Sequence, residues 1–337
     1  MINEAIQSYI NNIEIRCKEI KPLVVIRCIT YNQDMYIKDT LDAFLMQKTD
    51  FPFIVIIHDD ASTDKNPEII KEYTAKYPNI FFPIFETENQ YSQKNGSIGK
   101  IMNAATKATG AKYIALCEGD DYWIDPLKLQ KQVDFLESYD DYSMVCTNSL
   151  YLYPNGEKKK SKHFSVRSRD ISIEETILKG GLFIATASIM YRSKFLYKPY
   201  ENKGLTIGDH PLQIYMAYKG KVRILEDICT IYRVSAQNSW SLKNKLHKNS
   251  EEYRKKLLNE KIQLANVMNE ITENKYKDLF CEWIIIREFS YLIHFNPIPI
   301  LKILKKNPLL IIKNFNIITI LYGVMPIFIK KLILKNS

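Results

Sequence analysis

The chain is poor in glycine and proline, with 11 and 13 among 337 residues, too few for a fibrous or low-complexity protein. It has no C-x-x-C pair. Cys17, Cys28, Cys117, Cys146, Cys229 and Cys281 stand far apart with no histidine pair beside them, which reads as reduced thiols rather than a zinc site or a disulfide framework. No G-x-G-x-x-G follows the first predicted strand, which weighs against a dinucleotide-binding site. Gly96-Ser97-Ile98-Gly99-Lys100 only grazes a P-loop: Lys94 stands where the first glycine belongs and Ile101 replaces the Ser/Thr. The N-terminus shows no basic segment leading into an apolar one, so no secretory signal is expected. A membrane span needs about 20 apolar residues. The longest uncharged run here, Asn314 to Ile329, is 16 residues and contains Pro326. Acidic residues are missing altogether after Glu288, and the seven lysines there account for all but two units of the net charge of +9. Basicity thus belongs to an apolar tail, not to a nucleic-acid-binding surface.

Hydrophobic residues at 46% and charged residues at 25% describe a folded globular chain, long enough for one large α/β unit and an appendage. Residues 1–20 read as an amphipathic lead-in helix. Apolar strands are expected at Leu23–Ile29, Phe53–Ile57, Ile80–Ile84 and Tyr113–Cys117, with helical patterns between them. Asp125-Pro126 reads as a helix start, Asp as the cap and Pro at the first helical position. Further strands are expected at Tyr142–Tyr153, Phe183–Tyr191 and Val222–Tyr232, a solvated basic loop at Lys158–Arg169, and two amphipathic helices over 247–293. Strands alternating with helices imply a mainly parallel sheet, whose ligands bind beyond the carboxyl ends of its strands.

Three of those strand ends are polar: Thr30-Tyr31-Asn32, His58-Asp59-Asp60 and Glu118-Gly119-Asp120-Asp121. Carboxylates there are hard oxygen ligands, suited to Mg²⁺ or Mn²⁺ rather than zinc. Without a glycine cradle, such loops point to a nucleotide held through a divalent ion.

Four segments, taken in order, resemble the family 2 glycosyltransferases of the GT-A fold. They are Val24–Asn32, Ile54–Asp64, Gly110–Trp123, and Ile207-Gly208-Asp209 ahead of an amphipathic helix. The resemblance covers about residues 22–240. It implies a Rossmann-like α/β domain over 21–240, with a nucleotide-sugar half at 21–125 and an acceptor half at 126–240. A helical extension over 241–294 and a basic apolar tail over 295–337 would follow. By the same resemblance Thr30 and Tyr31 line the base pocket, and Asp60 holds the base edge with Asp59 beside it. Asp120 contacts ribose or metal, Asp121 ligates the metal, Glu118 fills the motif's first position, Lys100 stands near the phosphates, and Asp209 is the catalytic base. The cofactor implied is Mn²⁺ or Mg²⁺. The implied partners are a nucleotide-sugar donor, UDP-linked, and a glycan or lipid-linked acceptor, with no nucleic acid.

The chemistry agrees with those roles. Expelling a nucleoside diphosphate calls for charge neutralisation by a divalent ion, and the attacking hydroxyl needs a carboxylate base. One base and one displacement give inversion. Other readings of single residues stay open. Asp64, Asp59 and Asp209 also suit helix caps or loop carboxylates, Tyr31 a core-edge aromatic, and Glu118 a loop-shaping residue. Trp240 suits stacking on an acceptor sugar. Two departures matter: Gln237-Asn238-Ser239-Trp240 lacks the Arg of the processive synthases, and Ser235 follows Tyr232-Arg233-Val234 where many relatives carry His. The tail suits peripheral contact with an anionic membrane, placing the enzyme in the cytoplasm at the inner face of the cell membrane. Together with the Lys/Ile/Asn-rich composition, this suggests bacterial surface-polysaccharide or glycoconjugate assembly. The competing classes are a sugar nucleotidyltransferase, whose Gly-rich loop is missing after the first strand, and a non-catalytic membrane-associated scaffold or sugar-binding subunit.

Overall fold

A computed structural model describes residues 3–93, 96–201, 203–205 and 208–295, with positions 303, 305–307, 310 and 311. Ten strands form one sheet: β1 Val24–Thr30, β2 Phe53–Asp59, β3 Phe81–Phe85, β4 Tyr113–Leu116, β5 Tyr122–Trp123, β6 Tyr142–Leu152, β7 Lys158–Lys160, β8 Arg169–Ile171, β9 Met190–Arg192 and β10 Lys221–Arg233. The helices are α1 Glu4–Ile20, α2 Ile37–Leu45, α3 Asn66–Lys76, α4 Gln90–Gln93, α5 Ser97–Thr109, α6 Lys128–Ser138, α7 Ile173–Lys179, α8 Asp209–Lys219, α9 Trp240–Leu246, α10 Glu251–Ile271 and α11 Lys277–Phe295. The strand order is β3-β2-β1-β4-β9-β6-β10-β5, with β7 on β6 and β8 on β10. Strands β3, β2, β1 and β4 are parallel, as are β6 and β10, while β9 runs antiparallel between β4 and β6. This is the mainly parallel, helix-flanked α/β sheet that the alternating pattern implied.

Continuous apolar runs give strands buried on both faces. Val24, Val25, Ile26 and Cys28 of β1 and Ile54 to Ile57 of β2 are fully buried, as a sheet covered by helices on both sides requires. Helix α1 is capped by Asn3, whose Oδ1 accepts the Ile6 N–H at 2.8 Å, and it lies against α5 and β3. The consequence for function is a common edge: β1, β2 and β4 all end on the side where the polar loops begin.

Three local expectations change. Helix α6 starts at Lys128, not at Asp125-Pro126. Asp125 Oδ1 accepts the Leu127 N–H at 2.8 Å, so these residues make a turn ahead of the helix. In place of a strand over Phe183–Tyr191, two 3₁₀ turns, Gly181–Phe183 and Thr186–Ser188, precede β9: the Phe183 amide bonds back to the Gly180 carbonyl, the Ser188 hydroxyl and amide to that of Ala185, while Phe183, Ile184, Ala187 and Ile189 are buried. Inside the basic segment Lys158–Arg169, the first three lysines form the edge strand β7 and Arg169 opens β8.

The chain divides into two compact units, Met1–Lys245 and Leu246–Ser337. In the second, α10 and α11 pair so that the Tyr291 hydroxyl donates to Glu251 at 3.3 Å, with Leu264, Met268, Trp283 and Phe289 buried. Among the described residues no helix is long and apolar enough to cross a membrane. The basic tail, apart from the few positions named above, lies outside the described residues.

Candidate active site

The loop Glu118–Asp121 leaves β4 beside β1. It is closed by the Gly119 amide on the Ile29 carbonyl at 3.0 Å and by the Asp121 amide on the Glu118 carbonyl at 3.1 Å. Thr40, buried on α2, brings its hydroxyl 3.0 Å from the Gly119 carbonyl and 2.6 Å from that of Asp121. Gly119 is required sterically. A Cβ there would sit 2.6 Å from Thr30 Oγ1 and from Gln33 Oε1.

This packing drives the three acidic side chains together: ligand atoms of Glu118, Asp120 and Asp121 lie within 4.8 Å of one another. Like charges so close resist joint ionisation. Burial, then the charges of Asp120 and Asp209, push Glu118 up to about 8, although the residue as a whole is solvent-exposed. Burial foremost also raises Asp120, and burial with the Asp120 charge raises Asp121 well above the carboxylate range. Asp121 Oδ1 accepts the Arg233 N–H at 2.9 Å, while its buried Oδ2 has no hydrogen-bond partner among the described residues. A buried carboxylate oxygen without a donor, beside two further carboxylates, is a donor set that a hard divalent cation satisfies.

Asp209, distant in sequence, comes to the same place. It opens α8, and its charge is one of those felt by Glu118. Burial raises its own carboxyl, opposed by the His210 N–H, which reaches Oδ1 at 2.7 Å. Gly181 makes room for it: a Cβ at 181 would lie 2.8 Å from Asp209 Oδ2. Gln213, one turn further along α8, donates to the Gly181 carbonyl at 2.8 Å and so ties the loop to the helix that carries Asp209.

The residues read from sequence as nucleotide contacts fall into distinct groups. Thr30 is buried, its hydroxyl 2.9 Å from Gln33 Oε1 and accepting from Asn66 at 3.0 Å. Tyr31 is exposed at the strand end. Asp59 turns inward, taking the Ser62 N–H at 2.9 Å and Asn66 Nδ2 at 2.6 Å. Asp60 accepts the N–H groups of Gln90 and Tyr91 at 2.7 and 3.0 Å, which anchors α4, and each of its oxygens keeps a further lone pair. Lys100 stands exposed in the first turn of α5, and among the described residues no hydrogen bond or ion pair joins it to the carboxylates. Trp240 begins α9, and its side chain lies outside the described residues.

Arg233 was missed as a site residue by sequence reasoning. Its amide holds Asp121, its guanidinium donates to the Asp120 carbonyl at 2.6 Å and pairs with Asp39, and it lies 4.4 and 5.0 Å from the Tyr122 and Tyr36 ring centroids. Its only sequence signal was the Tyr-Arg-Val run, read there for the histidine it lacks. The loops also clasp one another: Asn238 donates to the Asn32 carbonyl at 3.0 Å, and Asn32 accepts from the Thr63 amide at 2.7 Å.

With this geometry in place, comparison with known proteins is direct. Residues 26–200, more than half of the chain, match the family model of glycosyl transferase family 2. This chain belongs to that family. An uncharacterised protein of Mycobacterium tuberculosis is 37% identical over 212 residues, 63% of this glycosyltransferase and 59% of the relative, so the match spans about three fifths of the relative's length. An uncharacterised glycosyltransferase of Methanocaldococcus jannaschii is 28% identical over 65% of this chain and 73% of its own. Among solved structures, residues 1–349 of TarS from S. aureus, in complex with UDP, align with a TM-score of 0.50 and 18% identity over 85% of both chains. The mannosyltransferase PcManGT from Pyrobaculum calidifontis, in complex with GDP-Man and Mn²⁺, aligns with a TM-score of 0.50 and 14% identity over 95% of this chain and 94% of that one. At such identities these likenesses establish the shared fold.

Proposed function

We propose that this glycosyltransferase moves a single sugar from a nucleotide-sugar donor, UDP-linked, to a glycan or lipid-linked acceptor, with inversion and with Mn²⁺ or Mg²⁺. One observation carries the reading: the ligand atoms of Glu118, Asp120 and Asp121 lie within 4.8 Å of one another, with Asp121 Oδ2 buried and without a hydrogen-bond partner among the described residues, and Asp209, some 90 residues later, lies within electrostatic reach of Glu118. Asp121, Asp120 and Glu118 would hold the divalent ion, which when bound neutralises the leaving diphosphate. Thr30, Tyr31, Asp59 and Asp60 would frame the nucleoside, and Lys100 would serve the phosphates from α5. Asp209 then takes the proton of the attacking hydroxyl. A carboxyl raised from its ordinary value by burial is better matched to that transfer than an exposed aspartate.

All of this machinery falls within residues 21–240, the nucleotide side in 21–125 and the acceptor side, with Trp240, in 126–240. Two solved structures with the same fold hold UDP in one case and GDP-Man with Mn²⁺ in the other, which supports a nucleotide-sugar donor and a divalent ion. The lysine-rich apolar tail over 295–337 supports peripheral contact with an anionic membrane at its cytoplasmic face, as assembly of surface polysaccharide or glycoconjugate on a lipid carrier would use.

Calorimetric titration with UDP, GDP and CDP, each with and without Mn²⁺, tests the donor site. Metal-dependent binding of one nucleotide is expected, and binding of none would overturn the reading. Asp209→Asn should abolish transfer and leave nucleotide binding intact, whereas retained transfer would remove Asp209 as the base.

A further inference from the structure

We propose that Gln33 is a positioning residue for the metal-binding carboxylates, its amide turned toward Asp120 by a buried hydrogen-bond chain that starts at Asp59, an inference that rests on the metal site proposed above. The chain joins three elements. Thr30 ends β1, Asn66 opens α3, and Gln33 lies between β1 and α2, where its carbonyl accepts the N–H groups of Tyr36 and Ile37 at 2.8 and 2.9 Å. Thr30, Gln33, Asp59 and Asn66 are all buried, so water does not compete for their polar groups.

Donor and acceptor chemistry fixes the direction of every link. The Asp59 carboxylate accepts at both oxygens, from the Ser62 N–H at 2.9 Å and from Asn66 Nδ2 at 2.6 Å. The second hydrogen of that amide goes to Thr30 Oγ1 at 3.0 Å, and among the described residues no donor reaches Asn66 Oδ1 to turn the amide the other way. The Thr30 hydroxyl has one hydrogen. Accepting from Asn66, it donates to Gln33 Oε1 at 2.9 Å. This assigns the oxygen of the Gln33 amide to Thr30 and leaves its NH₂ group for the acidic loop.

The loop packs against this end of the chain. A Cβ on Gly119 would sit 2.6 Å from both Gln33 Oε1 and Thr30 Oγ1, so the backbone between Glu118 and Asp120 abuts both groups. Burial foremost raises the Asp120 carboxyl, while its own amide, the Arg233 charge and the Gln33 side chain, as a hydrogen-bond donor, lower it. Asp120 is therefore addressed from two directions, Arg233 at its carbonyl and Gln33 at its carboxylate. A ligand oriented in this way meets the cation with less reorganisation, and such supporting partners are worth about 10- to 100-fold in metal affinity. Thr30 and Asp59 would thereby serve the metal as well as the nucleoside. Buried polar groups find partners in any protein. Losing that role alone would lower stability and leave metal affinity unchanged.

The full-length protein, freed of metal, would be titrated with MnCl₂ alone, with free Mn²⁺ read by electron paramagnetic resonance. No nucleotide is present, so base contacts play no part. Gln33→Met and Thr30→Val, each close in shape to the residue it replaces, should each weaken Mn²⁺ binding about tenfold. Thr30→Ser, which keeps the hydroxyl, should bind as the native protein does. Because both residues act through one link, the double variant should bind no more weakly than either single one. Unchanged affinity in either single variant, or losses that multiply to about 100-fold in the double, would overturn the proposal. Melting in EDTA checks that each variant is folded. Should Gln33→Met fail to fold, Thr30→Val against Thr30→Ser decides the question by itself. Native protein that binds no Mn²⁺ would remove the metal site and this inference together, whereas native binding with unchanged variants removes the inference and leaves the metal site standing.

Discussion

Replacing Gly181 by alanine is expected to slow transfer without unfolding the enzyme. The added Cβ would lie 2.8 Å from Asp209 Oδ2, 2.9 Å from Oδ1 and 3.0 Å from Cγ. Carbon–oxygen contacts settle nearer 3.5 Å, so the carboxylate must withdraw by about half an ångström. Two restraints oppose an easy accommodation. The His210 N–H holds Oδ1 at 2.7 Å, and Gln213 locks the Gly181 carbonyl to α8 at 2.8 Å, so loop and helix cannot simply part. Backbone strain is not involved, because the left-handed φ of +81° belongs to Gly180 and not to Gly181. A misplaced base costs up to about 100-fold in rate, and kcat should fall by about 10- to 100-fold with the donor KM nearly unchanged. The melting temperature should move by no more than about 5 °C. Release of nucleoside diphosphate from the donor, followed with and without acceptor, reads the rate. Gly99→Ala is the control, since nothing lies within 4 Å of its Cβ and alanine in a helix gains about 0.5–1 kcal/mol. Full kcat in Gly181→Ala would refute the placement of Asp209 at the chemistry.

Three further expectations follow from the same geometry. Gly119→Ala drives a methyl against Thr30, whose hydroxyl is already engaged with Gln33 and Asn66; a loss of about 1–3 kcal/mol should appear as a melting point several degrees lower, and an unchanged melt would contradict it. Glu118 is raised from 4.5 to about 8, so without metal the fold loses stability as pH climbs through that window, where the native state binds the extra proton. A divalent ion must displace that proton, so Mn²⁺ affinity should rise with pH up to about 8, with protons released. Calorimetry at pH 7 in two buffers of different ionisation heat measures the release, and identical heats would rule it out. Lys128, fully buried, donating to Gln132 at 2.7 Å and 4.0 Å from the Trp123 ring centroid, is pulled from 10.5 down to about 8 by burial. Between those values the unfolded chain holds the proton and the native chain does not, so this lysine's contribution to stability improves as pH rises, by at most about 1.4 kcal/mol per unit. Denaturation of the native protein against Lys128→Met from pH 7 to 10 should show that relative gain. A difference independent of pH would refute it.

Much of the framework was legible in the chain. The apolar runs of β1, β2 and β4 name the buried strands, and the polar residues that end them had to share one edge once those strands ran parallel. The order of Thr30-Tyr31, Asp59-Asp60 and Glu118-Gly119-Asp120-Asp121 therefore already sketched the polar edge. Local errors came where two signals competed. Asp125-Pro126 has the composition of a helix start yet makes a turn, and Phe183–Tyr191 has a strand's apolarity yet folds into 3₁₀ turns because Ser188 bonds back on itself.

What the sequence by itself determined was the α/β alternation, the family, and which loops are acidic, since periodicity and residue type are local properties that report on backbone and burial. Which carboxylates face one another was decided only by the tertiary structure. It turned Asp59 toward Ser62 and Asn66, set Asp60 on the start of α4, left Asp121 Oδ2 without a donor among the described residues, and brought Asp209 within electrostatic reach of Glu118. It also made Arg233 the clamp of the acidic loop from 112 residues away. Contacts across such separations depend on how the sheet is ordered and which glycines leave room. No spacing within the chain reports either.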